Sequence, residues 1–201
     1  MSIIRYGAGV LDWTKAELAG LDRKTRKLLT INGAHHPKAN VHRLYIKRCA
    51  GGRGLIGADD CVEIEKNSLS KYLESSNEPL LKKAAEEGVL KTLNEVKDKE
   101  SIEKEHTQLR SEKNLHGQFD KATGPLRGKH SWDWLRKGSL KKETESTIIA
   151  AQDQAITTNN IRKVIFKEDV SPLCRMCGKF NETIAPITSE CPSLAQNEYK
   201  K

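Results

Sequence analysis

The sequence predicts a mainly α protein, on the grounds of its composition, its apolar periodicity and its helix-capping signals. Charged residues make up 31% of the 201 residues and aromatic residues only 5%, so the chain can build a thin helical body but not a large core. Apolar residues recur every three or four positions along several segments, as on one face of a helix. These segments follow residues that favour helix N-termini, the first of which is Thr14.

The first helix predicted in detail begins after Thr14, which forms a capping-box pattern with Glu17. It ends near Ile31, because Asn32 and Gly33 stop helices. Leucines form its apolar face. The opposite face presents the basic side chains Arg23, Arg26 and Lys27.

A second helix is predicted to start at Asn40, with Leu44 in its buried stripe and the glycines around Arg53 at its end. Asp59 or Asp60 can cap a third helix. The exposed side of the second helix keeps three basic side chains free to meet phosphate: Arg43, Lys47 and Arg48.

Basic charge is concentrated in the first part of the chain. Residues 1–57 contain eleven Lys or Arg and three Asp or Glu, whereas residues 58–120 have a net charge of −5 and residues 121–201 one of +5. Clustered Lys and Arg attract phosphate independently of base sequence. The side chains expected to contact phosphates are Arg23, Arg26, Lys27, Arg43, Lys47, Arg48 and Arg53. The alternative is a solvated helix face, which explains many charge runs.

These patterns divide the chain into three segments. Residues 1–76 form a basic helical domain, and residues 77–128 form a charged helical linker rich in Lys and Glu. Residues 129–201 contain a tryptophan-bearing helical segment and a cysteine loop. Five scattered cysteines do not resemble a disulfide framework, and neither a secretory signal nor a run of about 18 apolar residues is present. An intracellular chain is therefore expected.

Trp132 and Trp134 stand two positions apart, so on a helix they point in different directions and cannot enter one core together. One of them could stack on a nucleic-acid base. The alternative is that such tryptophans hold a short helix against its neighbour.

Cys174, Cys177 and Cys191 match the zinc-knuckle pattern Cys-x2-Cys-x8-His-x4-Cys with one ligand missing. Pro186 stands where the pattern requires histidine, and proline has no donor atom for a metal. Structural zinc almost always has four ligands, so we expect zinc to bind weakly at best or not at all. Water or a carboxylate such as Glu182 or Glu190 could fill the fourth place. A loop that folds without metal is the alternative.

Several strings in the chain together resemble the reverse transcriptases of non-LTR retrotransposons, in the thumb region and in the linker and cysteine knuckle downstream of it. They are residues 4–13 (IRYGAGVLDW), 52–55 (GRGL), 132–140 (WDWLRKGSL), 150–155 (AAQDQA), 174–178 (CRMCG) and 191–196 (CPSLAQ). Their order and spacing make the resemblance more specific than any one string.

The resemblance implies a helical thumb-like bundle that grips an RNA-DNA or DNA duplex, followed by a helical linker and a degenerate zinc knuckle. The fingers and palm of such an RNA-directed DNA polymerase have no counterpart in this sequence, and no endonuclease follows, so the chain is expected to be inactive alone. Its implied partners are the duplex and the absent palm and endonuclease regions. A chromosomal target implies a nuclear location, with the cytoplasm as the alternative. The alternative function is an inert helical or protein-interaction remnant of a decayed element.

Overall fold

A computed structural model describes residues 2–87, 98–124, 128 and 130–197, and it confirms that the protein is mainly helical. The α-helices are α1 (Ser2–Gly7), α2 (Lys15–Ile31), α3 (Ala58–Ser75), α4 (Pro79–Glu86), α5 (Lys99–Ser111), α6 (Gln118–Thr123), α7 (Asp133–Arg136), α8 (Lys142–Gln152), α9 (Asn159–Val164) and α10 (Pro192–Asn197). The described residues also form two 3₁₀ helices (Val41–Leu44 and Arg48–Ala50) and a π-helical turn (Pro186–Glu190). Within these ranges, extended pairing is limited to one antiparallel bridge between Leu173 and Asn181.

Helix α2 begins as predicted. The Thr14 hydroxyl accepts a hydrogen bond from the Glu17 N–H at 3.3 Å, and the Glu17 carboxylate accepts one from the Thr14 N–H at 2.9 Å. Leu18 is buried in a small core with residues of α1 and α3. The far end of the predicted apolar face is not covered, since Leu28 is 60% exposed.

The N-terminus of α3 is capped differently from the prediction. Both carboxylate oxygens of Asp22, on α2, accept from the Ala58 N–H at 3.0 and 3.1 Å. Asp59 and Asp60 lie inside the first turn of α3, where their negative charges interact favourably with the helix dipole. Neither of them is the N-cap residue. The cap came from another helix, so the local sequence could not reveal it.

The predicted second helix is instead a compact loop. Asn40 does cap the chain where expected, but only one 3₁₀ turn follows it. The backbone then folds back, and the N–H groups of Arg53, Gly54 and Leu55 donate to carbonyls of Arg43, Ile46 and Leu44 at 2.8–2.9 Å. Gly51 allows the reversal because it adopts a φ of 90°, a conformation that residues with a Cβ rarely take.

Helix α8 joins this loop through two buried carboxylates, one in its first turn and one just after its end. Glu145 pairs with Arg48 and Arg53, and Asp153 pairs with Arg43. A cluster of small residues, Ala39, Ala150 and Ala155, packs between them. The first and third predicted segments are therefore in direct contact. Residues 88–97 and 125–127 of the predicted linker lie outside the described residues.

None of the helices in the described ranges combines the length and the apolar character that a membrane span requires.

We predict that Asp153→Asn lowers the free energy of unfolding by about 3–5 kcal/mol, because it leaves two buried guanidinium groups without their shared carboxylate. Asp153 has no exposed surface, and Arg43 and Arg110 are buried with it. Urea denaturation followed by circular dichroism measures the change. Asp12→Asn is the matched control, since Asp12 is fully exposed and forms only a 3.6 Å pair with Lys66. Equal stability of the two variants would contradict the assignment.

Candidate nucleic-acid surface and cysteine cluster

Three of the basic residues predicted to contact phosphate are paired with carboxylates. Lys47 and Arg48 are partly exposed, whereas the Arg53 side chain is only 10% exposed. Arg48 lies 2.7 Å from Glu145, and Arg53 pairs with the other oxygen of the same carboxylate. Lys47 lies 2.8 Å from Glu103 on α5, and that hydrogen bond and charge raise the pKa of Lys47. One carboxylate between two guanidinium groups leaves net positive charge at Glu145, so this region remains basic.

The prediction that Arg43 contacts phosphate is wrong. Its side chain has no exposed surface, because the guanidinium group lies beneath α8 and pairs with Asp153 at 3.8 Å. The same group donates to the Gln152 side chain. Burying a guanidinium requires a carboxylate partner, and the sequence did not show that residue 153 would lie against residue 43.

The predicted cations on helix α2 lack the carboxylate partners that the loop arginines have among the described residues. Arg26 donates a hydrogen bond to the Tyr45 hydroxyl at 2.9 Å and is half-buried. Arg23 and Lys27 are exposed, and neither has a carboxylate partner among the described residues. Lys24 is exposed on the same side and was missed by the sequence reasoning.

Residues 23, 24 and 27 fall within about 100° of arc around α2, at 100° per residue. They form one cationic face, which we call the α2 basic face: Arg23, Lys24 and Lys27. The helical spacing of residues 24 and 27 was the signal that could have identified Lys24.

Trp132 packs inside the fold, so little of its ring surface is exposed for stacking on a base. It is buried, and its ring lies against Gly51, where an added Cβ would come within 2.6 Å of the ring. The Arg43 guanidinium lies 5.3 Å from the ring centroid, and Phe119 lies 6.1 Å away. The stacking prediction is therefore wrong for Trp132. Trp134 is half-buried, and its predicted stacking stays a prediction.

The three predicted metal ligands do come together. The sulfur atoms of Cys174, Cys177 and Cys191 all lie within 4.8 Å of one another, and those of Cys174 and Cys191 are 3.9 Å apart. The two residues of that closer pair are buried, and Cys177 is half-buried. These three residues, here named the cysteine cluster, could hold a metal ion.

Backbone N–H groups point at the sulfurs of this cluster. Those of Lys179 and Phe180 donate to Cys177, and the first of them is the main cause of a lowered thiol pKa there. Those of Leu194 and Ser193, in the first turn of α10, donate to Cys191. The pKa of Cys191 is nevertheless raised, because burial and the two neighbouring thiols oppose these hydrogen bonds.

Glu182 lies next to the cluster but serves the loop. Its oxygens accept from the Arg175 side chain at 2.6 and 2.7 Å, from the Arg175 N–H at 3.1 Å and from the Asn159 N–H at 2.8 Å. This carboxylate thereby joins the cysteine loop to the start of α9. The hydrogen bonds from Arg175 hold the pKa of Glu182 down at about 2.

The fourth ligand position does not receive a protein donor from the described residues. Glu182 is engaged with Arg175 and Asn159, and Glu190 is exposed and outside the group of neighbouring donors. Pro186 is buried at the start of the π-helical turn that leads to Cys191. The residues present therefore fit a metal with three sulfur ligands and do not complete a tetrahedral zinc site.

No protein-family model matches the chain, and no solved structure matches it significantly. A curated protein from Schizosaccharomyces pombe (strain 972 / ATCC 24843), the Pumilio homology domain family member 6, is 37% identical over 83 residues. That match covers 38% of this chain and 13% of the relative's length.

We predict that Glu182→Gln loosens the cysteine loop, because a neutral amide cannot replace the charge-assisted bonds to Arg175. Each hydrogen bond to a charged group contributes about 1.5–3 kcal/mol, and the 61% exposure of the Arg175 side chain places the loss near the lower end. Faster protease cleavage within residues 171–191 is the expected readout. Glu190→Gln is the control, since Glu190 is exposed, and equal cleavage of both variants would contradict the bracing role.

The same carboxylate predicts a pH dependence. Because the folded pKa of Glu182, about 2, lies below the usual glutamate pKa of 4.5, its contribution to loop stability is complete above pH 4.5 and is lost as the pH falls from 4.5 toward 2. Loop protection in the wild-type protein should therefore decline between these values, whereas Glu182→Gln should show a weaker decline.

Proposed function

We propose that the protein is a non-catalytic nucleic-acid-binding segment, of the kind found in the thumb and knuckle region of non-LTR retrotransposon reverse transcriptases. It holds an RNA-DNA or DNA duplex through backbone phosphates. The observation that supports this most directly is the α2 basic face, whose three exposed cations have no carboxylate partner among the described residues. A nuclear location follows from the chromosomal target that this function implies.

The basic loop contributes in a different way from the α2 basic face. Lys47, with 49% of its side chain exposed, has a partner in Glu103, and solvent screens such a pair. Phosphate can compete with the glutamate for that lysine. Arg48 and Arg53 supply positive potential while they hold α8.

RNA is the first ligand to test. Pumilio-type repeats are helical modules that read RNA bases, and the partial similarity to a Pumilio homology domain protein favours RNA-containing ligands. Phosphate contacts position a duplex without reading its sequence, so the expected binding is weakly dependent on sequence.

We predict that duplex affinity falls steeply with salt. Three phosphate contacts give a slope of about −2.7 in a plot of log affinity against log salt concentration, or about a 130-fold loss between 50 and 300 mM salt. Reversal of the α2 basic face, by Arg23→Glu with Lys24→Glu and Lys27→Glu, should weaken binding by at least about tenfold and flatten that slope. Fluorescence anisotropy with labelled RNA-DNA hybrid and DNA duplex measures both.

The control reverses three other exposed lysines, none of which pairs with a carboxylate in the described ranges: Lys71, Lys82 and Lys121. It changes the net charge by the same amount, so equal loss in both triple variants would show that overall charge, not the α2 basic face, is responsible. Absence of binding at low salt would favour the inert helical remnant, an alternative supported by the pairing of Arg43, Arg48 and Arg53 with carboxylates.

We also propose that the cysteine cluster holds zinc weakly at best, because the described residues supply three thiolates and solvent must take the fourth position. Pro186→His restores the donor that the spacing requires. We predict that this variant gains stoichiometric zinc after desalting and resists proteases better in its presence, because metal affinity and loop folding are coupled. Pro192→His, at a proline just beyond Cys191, is the matched control. Equal zinc content in both variants would refute the role assigned to residue 186.

A further inference from the structure

The three sulfur atoms of the cysteine cluster are separated by distances that suit binding to a single metal ion. The 3.9 Å separation of the Cys174 and Cys191 sulfurs lies between the separations that metal–sulfur bonds of about 2.3 Å give in a tetrahedral site, about 3.8 Å, and in a trigonal planar site, about 4.0 Å. The third sulfur lies within 4.8 Å of both. A small movement of Cys177 brings all three within bonding distance of a common centre.

Backbone N–H groups surround the cluster. Four backbone N–H groups, from Lys179, Phe180, Ser193 and Leu194, donate to the sulfurs of Cys177 and Cys191. Such outer hydrogen bonds orient metal ligands and offset their negative charge. Burial of Cys174 and Cys191 keeps solvent away from most of the site.

The fourth ligand position of a tetrahedral site does not receive a donor atom from the described residues. Glu182 is fully used in bonds to Arg175 and Asn159, and Pro186 offers no ligand atom. A divalent zinc ion is almost always four-coordinate in structural sites. Soft thiolate ligands bind Cu(I) as well as zinc, so the coordination number, not the sulfur donors, distinguishes the two ions here. A soft monovalent ion can be bound by three sulfur ligands and does not require a fourth ligand.

We propose that the cysteine cluster is a three-coordinate site for Cu(I), bound by the sulfurs of Cys174, Cys177 and Cys191, and that it discriminates against zinc. This inference deepens the metal-binding part of the proposed function and does not depend on nucleic-acid binding. Copper enters as Cu(I), so no electron is transferred. Each thiol that becomes a ligand releases its proton to solvent.

The test uses the reduced full chain without oxygen, loaded separately with one equivalent of Cu(I) or of Zn(II) and challenged with a chelator of known affinity. X-ray absorption then counts the sulfur neighbours. The expected result is one retained Cu(I) with three sulfur neighbours and loss of zinc to the chelator. Zinc retained as firmly as copper, or copper with two sulfur neighbours or fewer, overturns the proposal.

Variants separate this site from adventitious thiol binding. Cys177→Ser and Cys191→Ser should each weaken Cu(I) binding by more than the 10–100-fold that loss of an outer-shell partner typically costs. Cys49→Ser is the control, because Cys49 is an exposed cysteine outside the cluster. Circular dichroism checks that each variant is folded. Equal loss from Cys49→Ser and from the cluster variants also overturns the proposal.

Pro186→His gives a second, independent readout, since a fourth nitrogen ligand should move the preference back toward zinc. An unchanged ratio of copper to zinc affinity in this variant would count against the proposed cause of the discrimination. Anisotropy with duplex, measured on the same samples, distinguishes failure of this inference from failure of the proposed function. Retained Cu(I) with no duplex binding supports the metal site and removes only the nucleic-acid role.

Discussion

Two carboxylates at opposite ends of α8 hold the basic loop of residues 40–55 against the rest of the protein. Glu145 accepts two guanidinium groups, and Asp153 lies between two more, those of Arg43 and Arg110. Asp153 also accepts the Asn40 N–H at 3.1 Å, so the same carboxylate fixes the start of the loop. Charges buried this deeply are tolerated only when they are paired and hydrogen-bonded. These ion pairs fix the position of the loop. The packing of Trp132 against the loop and the contact between the first and third segments depend on them as well.

This arrangement divides the basic residues into two groups with different physical roles. Arginines in the loop act mainly within the protein, where they neutralise α8. Cations on α2 face solvent, where a polyanion can reach them without breaking a buried pair. The net charge of +8 is therefore a poor guide to the binding surface, since part of it is already committed to folding.

In the cysteine loop, too, some groups hold the fold and others are available for binding: Glu182 stabilises the loop, and the three sulfur atoms can bind a metal ion. Glu182 ties the loop to α9 through side-chain and backbone bonds, and the bridge between Leu173 and Asn181 closes its base. The sulfurs are thus gathered by protein contacts as well as by any metal. These protein contacts lower the cost of binding an ion, because they supply part of the order that a metal-bound loop requires.

The sequence by itself determined the features that depend on neighbouring residues. The helical class, the capping box at Thr14 and Glu17, and the convergence of the three cysteines follow from short-range spacing, which fixes backbone geometry over a few turns. Tertiary structure alone decided the rest. It replaced the second helix with 3₁₀ turns, supplied Asp22 as the cap of α3, and buried Arg43 and Trp132. Each of these outcomes depends on a partner that is distant along the chain, such as Asp153 for Arg43. The physical reason is that desolvation and ion pairing act through space, and a single sequence does not show which residues will meet.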